Sequence, residues 1–554
     1  MGGEKLENRP LRTLGDGLAG LAPGLNIRIP NGAPETTPSI NLRGFTGLNS
    51  SAAPLILVDG VERPIQDINP NDVETISLLK DGASSAIYGS RAPYGVLLIT
   101  TKSGKTGKAT VTYSSNVRIG KMVLFPTQLD SPEWARYVNM AQRNGQPNGS
   151  GTDGIDSITI ERMRAWLRKD WSSPAFDDLR ARFGDKAQSY IENGQFPTAD
   201  VSFKYWTREQ SFATTKLYDA YLNRSDISAQ HNLNISGGSD RIQYFTSMGY
   251  NGGNGLFKGD FNYNKRYNFQ TKLNYKAASW LDIRTDVNYV RQENQGANYR
   301  AGTATDAGTG TVANYGDIFG SMVQYFATPL KVPSGNAYSW ILGAPGILGE
   351  GGLLKNNRDD IVLTGGATIR PFKYFEINGD YTWRLSNTRF QRTEKVAYTE
   401  WPDGTRVQNN RSANNSSISK TTGNQSYQFA KLSGQYKRTF GSNHNILAQI
   451  GMQSEENKFE SLTGSKTDLF APNEVEAINA AANNPLADDN LYEWATLGYY
   501  AVVSYDYKQK YLVKFAGRKD ASSRFAPASR WGTFPSVSAA WNAARESFWP
   551  LKKS

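Results

Sequence analysis

From about residue 108 onward, apolar and polar positions alternate with a period of two, which places one set of side chains on each face of a strand. Leu281, Ile283, Thr285, Val287 and Tyr289 interleave with Asp282, Arg284, Asp286 and Asn288. Tyr267, Phe269, Leu273 and Tyr275 alternate with Asn268, Gln270, Lys272 and Asn274, and Val111, Tyr113, Val117 and Ile119 with Thr112, Ser114, Asn116 and Arg118. Runs of this kind predict twelve strands, at about 110–119, 227–236, 241–250, 263–275, 281–291, 360–370, 374–385, 426–438, 444–454, 496–507, 510–518 and 534–542.

Most of these runs are longer than the ~5 to 6 residues of an ordinary strand and match the ~9 to 11 of a tilted strand crossing a bilayer. Their connections alternate between short turns, such as 237–240 and 508–509, and long loops. Loops sorted by end are the outer-membrane pattern of short periplasmic turns and long external loops. Trp280, Phe372, Tyr374 and Tyr511 stand beside the short turns, where an interfacial aromatic girdle is expected. Within the first long loop, Ser131-Pro132-Glu133 predicts an N-cap with Pro at the first helical position, leading into a helix over 134–143, and a second helix follows over 160–169.

The first hundred residues carry short apolar runs between turn signals. Ile40 to Leu42, Leu55 to Val58, Ile76 to Leu78 and Val96 to Thr101 predict strands, Asp59-Gly60 a hairpin turn, and Ala83 to Tyr88 a short helix. Residues 1–107 therefore form a small α/β unit, and 108–554 a barrel wall with long loops at 120–226, 292–359, 386–425 and 455–495.

Composition narrows the chemistry. The 554 residues include no Cys and only two His, His231 and His444, far apart in the chain. That removes Cys-ligated metal sites, thiol nucleophiles and disulfide frameworks, and leaves little for a His-based centre. No apolar run approaches the ~20 residues of a membrane helix. The net charge of +11 comes without the basic tracks interleaved with aromatics that nucleic acid requires, and suits anionic lipid headgroups instead. Gly15-Asp16-Gly17-Leu18-Ala19-Gly20 lacks the preceding buried strand of a dinucleotide site and reads as the end of a short helix. The acidic pairs Asp177-Asp178, Asp359-Asp360, Glu455-Glu456 and Asp488-Asp489 read as solvated loop charge, without the spacing of a calcium cage. No catalytic residue, metal site or cofactor is expected.

Five ordered blocks carry a resemblance: Ile40-Asn41-Leu42-Arg43-Gly44, Pro54 to Val61 with its Asp59-Gly60 turn, Val73 to Asp81, Ala86-Ile87-Tyr88-Gly89-Ser90-Arg91, and Gly95 to Lys102. Together they closely resemble the plug domain of SusC/RagA-type TonB-dependent outer-membrane transporters. Asp520 to Phe525 and Arg530 to Ser536, ending in Trp541, resemble the mid-barrel blocks of the same group. The resemblance implies a membrane β-barrel of 22 antiparallel strands with an N-terminal α/β plug in its lumen, in the bacterial outer membrane. It implies TonB-dependent import of an oligosaccharide or peptide, with a SusD-like surface lipoprotein and the TonB–ExbB–ExbD complex as partners. Arg43, Asp59, Gly60 and Arg91 become candidates for plug gating or plug structure, while the substrate-binding residues stay unassigned. A siderophore or cobalamin receptor of the same architecture is the alternative within transport, and a soluble carbohydrate-binding β-protein the alternative outside it.

Geometry sets one more expectation. A plug of ~105 residues packs into a globule about 17 Å in radius, whereas twelve tilted strands close at a backbone radius of only about 13 Å and 22 strands at about 24 Å. Twelve strands therefore cannot close around the plug. Since Met1 to Lys5 lacks the apolar core of a secretory signal, the expectation is a fragment holding the plug and roughly the first half of the barrel.

Overall fold

The computed structural model describes the chain outside residues 30–37, 43–52, 80–87, 122–128, 146–154, 197–211, 299–349, 401–405, 409–414, 549–554 and a few shorter stretches. Two β-structures are built on one another. The N-terminal unit has a hairpin of β1 (Leu25–Arg28) and β2 (Ser39–Leu42) and a four-stranded sheet of β3 (Leu55–Val58), β4 (Val61–Glu62), β5 (Val73–Leu79) and β6 (Val96–Thr101). In that sheet the order is β4-β3-β6-β5, with β3 parallel to β6 and β5 antiparallel to it. Its core gathers Leu6, Leu14, Leu18, Val58, Ile65, Ile68, Val73, Ile76, Leu97 and Ile99. The glycine-rich Gly15 to Gly20 segment contributes α1 (Leu14–Leu18), whose N-terminus is closed by a reciprocal capping box between Thr13 and Asp16. The predicted Ala83 to Tyr88 helix lies almost wholly outside the described residues.

A single sheet of twelve antiparallel strands forms the wall: β7 (Gly107–Lys121), β8 (Ser225–Gly238), β9 (Ile242–Asn254), β10 (Tyr263–Ala278), β11 (Leu281–Ala297), β12 (Leu353–Phe372) and β13 (Phe375–Glu394) come first. After a side hairpin of β14 (Tyr398–Glu400) and β15 (Arg406–Gln408) follow β16 (Ser417–Phe440), β17 (His444–Leu469), β18 (Ala481–Tyr507), β19 (Tyr511–Ser522) and β20 (Trp531–Trp541). Strand order follows chain order throughout, and β7 and β20 are the two free edges of the sheet. Among the described residues the sheet is open between these two strands. No described helix is long and apolar enough to cross a membrane.

Alternation decides which face meets lipid. On β17, Ile446, Ala448, Ile450 and Met452 point outward, and Ile450 is 68% exposed; the next outward positions, Ser454, Glu456, Lys458 and Glu460, are polar. The apolar band on β17 thus spans 446–452, flanked by polar positions above, a stretch of the order of one tilted crossing. Trp280, Phe372, Tyr374, Tyr511 and Trp541 are exposed beside the short turns, and Tyr499 stacks on Trp531 at the other end of the band, 6.2 Å between ring centres.

The strands run well past that band, which corrects the predicted loop boundaries. β17 has 26 residues and β18 27, so the pair extends through most of the span expected as the loop 455–495, and β11, β12, β13 and β16 likewise extend into 292–359 and 386–425. Above the membrane the outward face of a strand meets water instead of lipid, so the apolar alternation that marks a strand disappears while its hydrogen bonds continue. The first long loop carries the expected helices as α2 (Ser131–Gly145) and α3 (Ser157–Arg168), joined by α4 (Asp177–Phe183) and α5 (Ala187–Asn193), over a core that includes Met163, Phe176, Leu179, Ile191 and Phe212.

Candidate functional site

The site is the surface on which the N-terminal unit rests against the inner face of the wall. Inward positions are the polar half of each alternating strand, so the contact is made almost entirely of hydrogen bonds and ion pairs. The segment from Asp59 to Asp72, which leads from β3 through β4 to the start of β5, supplies most of one side.

Asp59 and Gly60 form the two-residue turn between β3 and β4, with φ of 50° and 90° and Val58 paired to Val61. Both central residues are left-handed, as the favoured hairpin turn demands, which is why Asp and Gly stand there. The turn aims the Asp59 carboxylate back at the sheet and outward at the wall. It accepts from the Thr101 N–H and hydroxyl at 3.0 and 2.7 Å and from Lys272 Nζ of β10 at 2.9 Å. Gly60 makes the turn and touches no partner of its own.

Arg91 reaches in two directions. Its guanidinium pairs with Glu62 of β4 and with Glu455 of β17, and Glu455 is only 1% exposed. The Tyr427 hydroxyl donates to the second Glu455 oxygen at 3.1 Å. Burial lowers the Arg91 pKa, but the two flanking carboxylates outweigh that and hold it above its ordinary value. Arg43, the fourth candidate, lies outside the described residues.

Two carboxylates that the sequence did not single out are buried deeper. Asp67 is 1% exposed and pairs with Arg358 of β12, while Gln292 donates to it at 3.2 Å. Asp72 accepts from the Ser247 hydroxyl of β9 at 2.6 Å. Burial drives the Asp72 pKa up to about 6, with the Ser247 hydrogen bond pulling the other way, and burial raises Asp67 as well, opposed chiefly by Arg358. Around them Arg63 donates to Asn288 at 2.6 Å, Asn69 to Asn232 at 2.9 Å, Arg266 to the Gln66 carbonyl at 2.6 Å and Asn268 to the Asp67 carbonyl at 2.8 Å. Gly249 of β9 sits at the closest approach, where an added Cβ would stand 2.8 Å from Asn69 Nδ2. Among the described residues, an apolar contact forms at Val61, packed on Tyr427 and Phe429 with Trp494 alongside.

Two of the acidic pairs expected as loop charge belong here instead. Asp360 is buried in β12 and held by Arg384 at 2.7 Å, and Glu455 is the Arg91 partner. Glu455 sits on a strand extension that lacks an apolar alternation, and Asp360 at the edge of a predicted strand, which is why the pairs read as loop charge. No cluster of acidic and His side chains suited to a metal occurs among the described residues.

This geometry, a small α/β unit held by polar contacts inside an outward-apolar β-wall, fits the comparisons with known proteins. Residues 1–96 match the family model of the TonB-dependent receptor plug domain. The chain is 23% identical to the TonB-dependent receptor SusC of Bacteroides thetaiotaomicron over 96% of its own length and 48% of that protein. The chain is thus similar to SusC/RagA-type TonB-dependent receptors and carries their plug domain. It is also similar to TonB-dependent receptor P26 of Formosa agariphila, 24% identical over 98% of this chain and 48% of that one, so the chain spans about half the length of the curated relatives it matches. Among solved structures, the RagAB peptide importer in its open-open state superposes over 100% of this chain and 57% of its own, with a TM-score of 0.75 at 19% identity. The wall is thus the β-barrel wall of an outer-membrane protein, and the N-terminal unit is its plug.

Proposed function

We propose that this receptor imports an oligosaccharide, or failing that a peptide, across the outer membrane by TonB-driven displacement of the plug. A SusD-like lipoprotein presents the substrate from outside, and the TonB–ExbB–ExbD complex pulls on the plug from the periplasm. The observation that carries this reading is the plug seat. Of its contacts, those at Asp59, Arg63, Asn69, Asp72 and Arg91 are side chains that water or a neighbouring polar group can take over on release, whereas an apolar seat would expose greasy surface each time it opened. Asp59 and Arg91 act as latches of the plug on β10 and β17, and Gly60 shapes the turn that carries the first. Nothing in this cycle makes or breaks a covalent bond in the substrate.

The test is uptake of fluorescently labelled oligosaccharides and peptides by cells that carry the gene, by a deletion strain, and by cells lacking TonB. Import that disappears in both mutants supports the proposal. Accumulation that persists without TonB, or after the proton gradient is collapsed, contradicts it.

A further inference from the structure

The wall above the plug carries a second patch that the latches do not use. Phe459 of β17 and Tyr492 of β18 are register partners and point inward, since Phe459 shares its strand face with the plug partner Glu455. Their rings stack with centres 5.0 Å apart and planes 26° from parallel. Phe459 lies over the backbone of β16 at Gly423, where an added Cβ would be 3.4 Å from the ring. Two residues along β18, Trp494 faces the same way, 6.4 Å from Tyr427, with the Arg524 guanidinium 4.6 Å above its indole. The row is bordered by amides, Asn457 and Gln425, joined by a hydrogen bond of 2.7 Å.

Three features make this a shelf for a ligand instead of a core. Tyr492 keeps 45% of its surface open, although it lies on the inner face, away from lipid. The shelf stands just beyond the top of the apolar band, on the strand extensions, where a molecule arriving from outside meets the wall before the plug. Its lower edge is Trp494, which packs against the cluster of Tyr427 and Phe429 that holds Val61 of the plug, so it lies next to the plug seat.

We propose that Phe459, Tyr492 and Trp494 form a binding shelf for an oligosaccharide, whose ring C–H faces lie on the aromatic surfaces. Amphipathic rings with a flat apolar face and a polar rim match a row of aromatics edged by amides; an anionic ligand would want a denser set of cations than Arg524 alone. This rests on the import reading and assigns it a place on the wall.

The experiment measures binding of maltoheptaose, laminarihexaose and a tryptic peptide digest to the purified full chain in detergent, by calorimetry, for the parent, Tyr492→Ala, Phe459→Ala and the outward-facing control Tyr499→Ala. Uptake of the same probes is followed in cells. Oligosaccharide binding that falls at least tenfold in the two shelf variants and stays within twofold in the control supports the shelf. Oligosaccharide binding unchanged in the shelf variants overturns it while leaving import intact, and so does the absence of binding by either sugar. Peptide binding that depends on the shelf overturns the ligand class. TonB-independent uptake would remove the import reading itself, whatever the shelf binds.

Discussion

Replacing Arg91 with Met tests whether the plug is latched where the structure places it. The guanidinium joins Glu62 of the plug to Glu455 of the wall, and Glu455 is 1% exposed. Methionine keeps most of the stem but leaves the Glu455 carboxylate buried with only the Tyr427 and Gln453 donors, at 3.1 and 2.7 Å. Breaking one side of a buried pair costs about 3 to 5 kcal/mol, which corresponds to a rise of roughly 10²- to 5 × 10³-fold in the population of unseated plug. Because the chain has no cysteine, Val61→Cys supplies a single thiol on the plug that is only 4% exposed and closed over by Tyr427 and Phe429. Maleimide labelling of that thiol in the full chain measures how often the plug lifts from β17. Labelling should accelerate about a hundredfold or more on adding Arg91→Met, and most of that gain should vanish when Glu455→Gln removes the orphaned charge. A labelling rate within threefold of the Val61→Cys parent would refute the latch.

Other consequences follow from single residues. Asp72 has its pKa raised to about 6 in the seated plug, so it stabilises the seat fully below its ordinary value near 3.8 and loses that stabilisation as pH rises through about 6, at up to about 1.4 kcal/mol per unit. Asp72→Asn, which can still accept from Ser247, should raise the thermal unfolding midpoint at about pH 7.5 and change it little at about pH 4.5; a variant that destabilises equally at both values would contradict the sign. Ile450→Arg puts a charge in the middle of the outward band and should cost roughly 2 to 4 kcal/mol, read as loss of folded barrel in denaturant titration, whereas Lys458→Arg above the band should be neutral. Gly60→Val forces a β-branched residue to φ of 90° and should cost about 1 kcal/mol or more, seen as faster labelling at Val61→Cys; an unchanged rate would show that the turn does not depend on glycine.

Much of the fold is legible in the chain because lipid and lumen impose opposite chemistry on alternate residues. Leu281 to Tyr289 announces β11, and in the structure Ile283 and Tyr289 face out while Asn288 faces the plug. The strand tops were not legible for the converse reason. Beyond Ser454 the outward face meets water instead of lipid and the inward face carries polar partners such as Glu455 and Asn457, so β17 continues on hydrogen bonds to β16 and β18 that leave no trace in hydropathy. The plug seat was legible only in part. Asp59 and Gly60 stand out through their turn, and Arg91 through a resemblance, but the partners Lys272 and Glu455 lie 213 and 364 residues away. Asp67, Asn69 and Asp72 did carry a local signal. They recur between Ile65, Ile68 and Val73 in the apolar part of the plug, and buried polar residues so placed need partners from outside their own unit.

The most direct test of TonB-driven plug displacement is thiol labelling of Val61→Cys in living cells. Energised cells given substrate should label the plug faster than the same cells after the proton gradient is collapsed or TonB is removed, because only a pulled plug parts from Tyr427, Phe429 and Glu455. Equal labelling under all three conditions, with substrate uptake still running, would mean that the plug stays seated during transport and that the latches have no part in it.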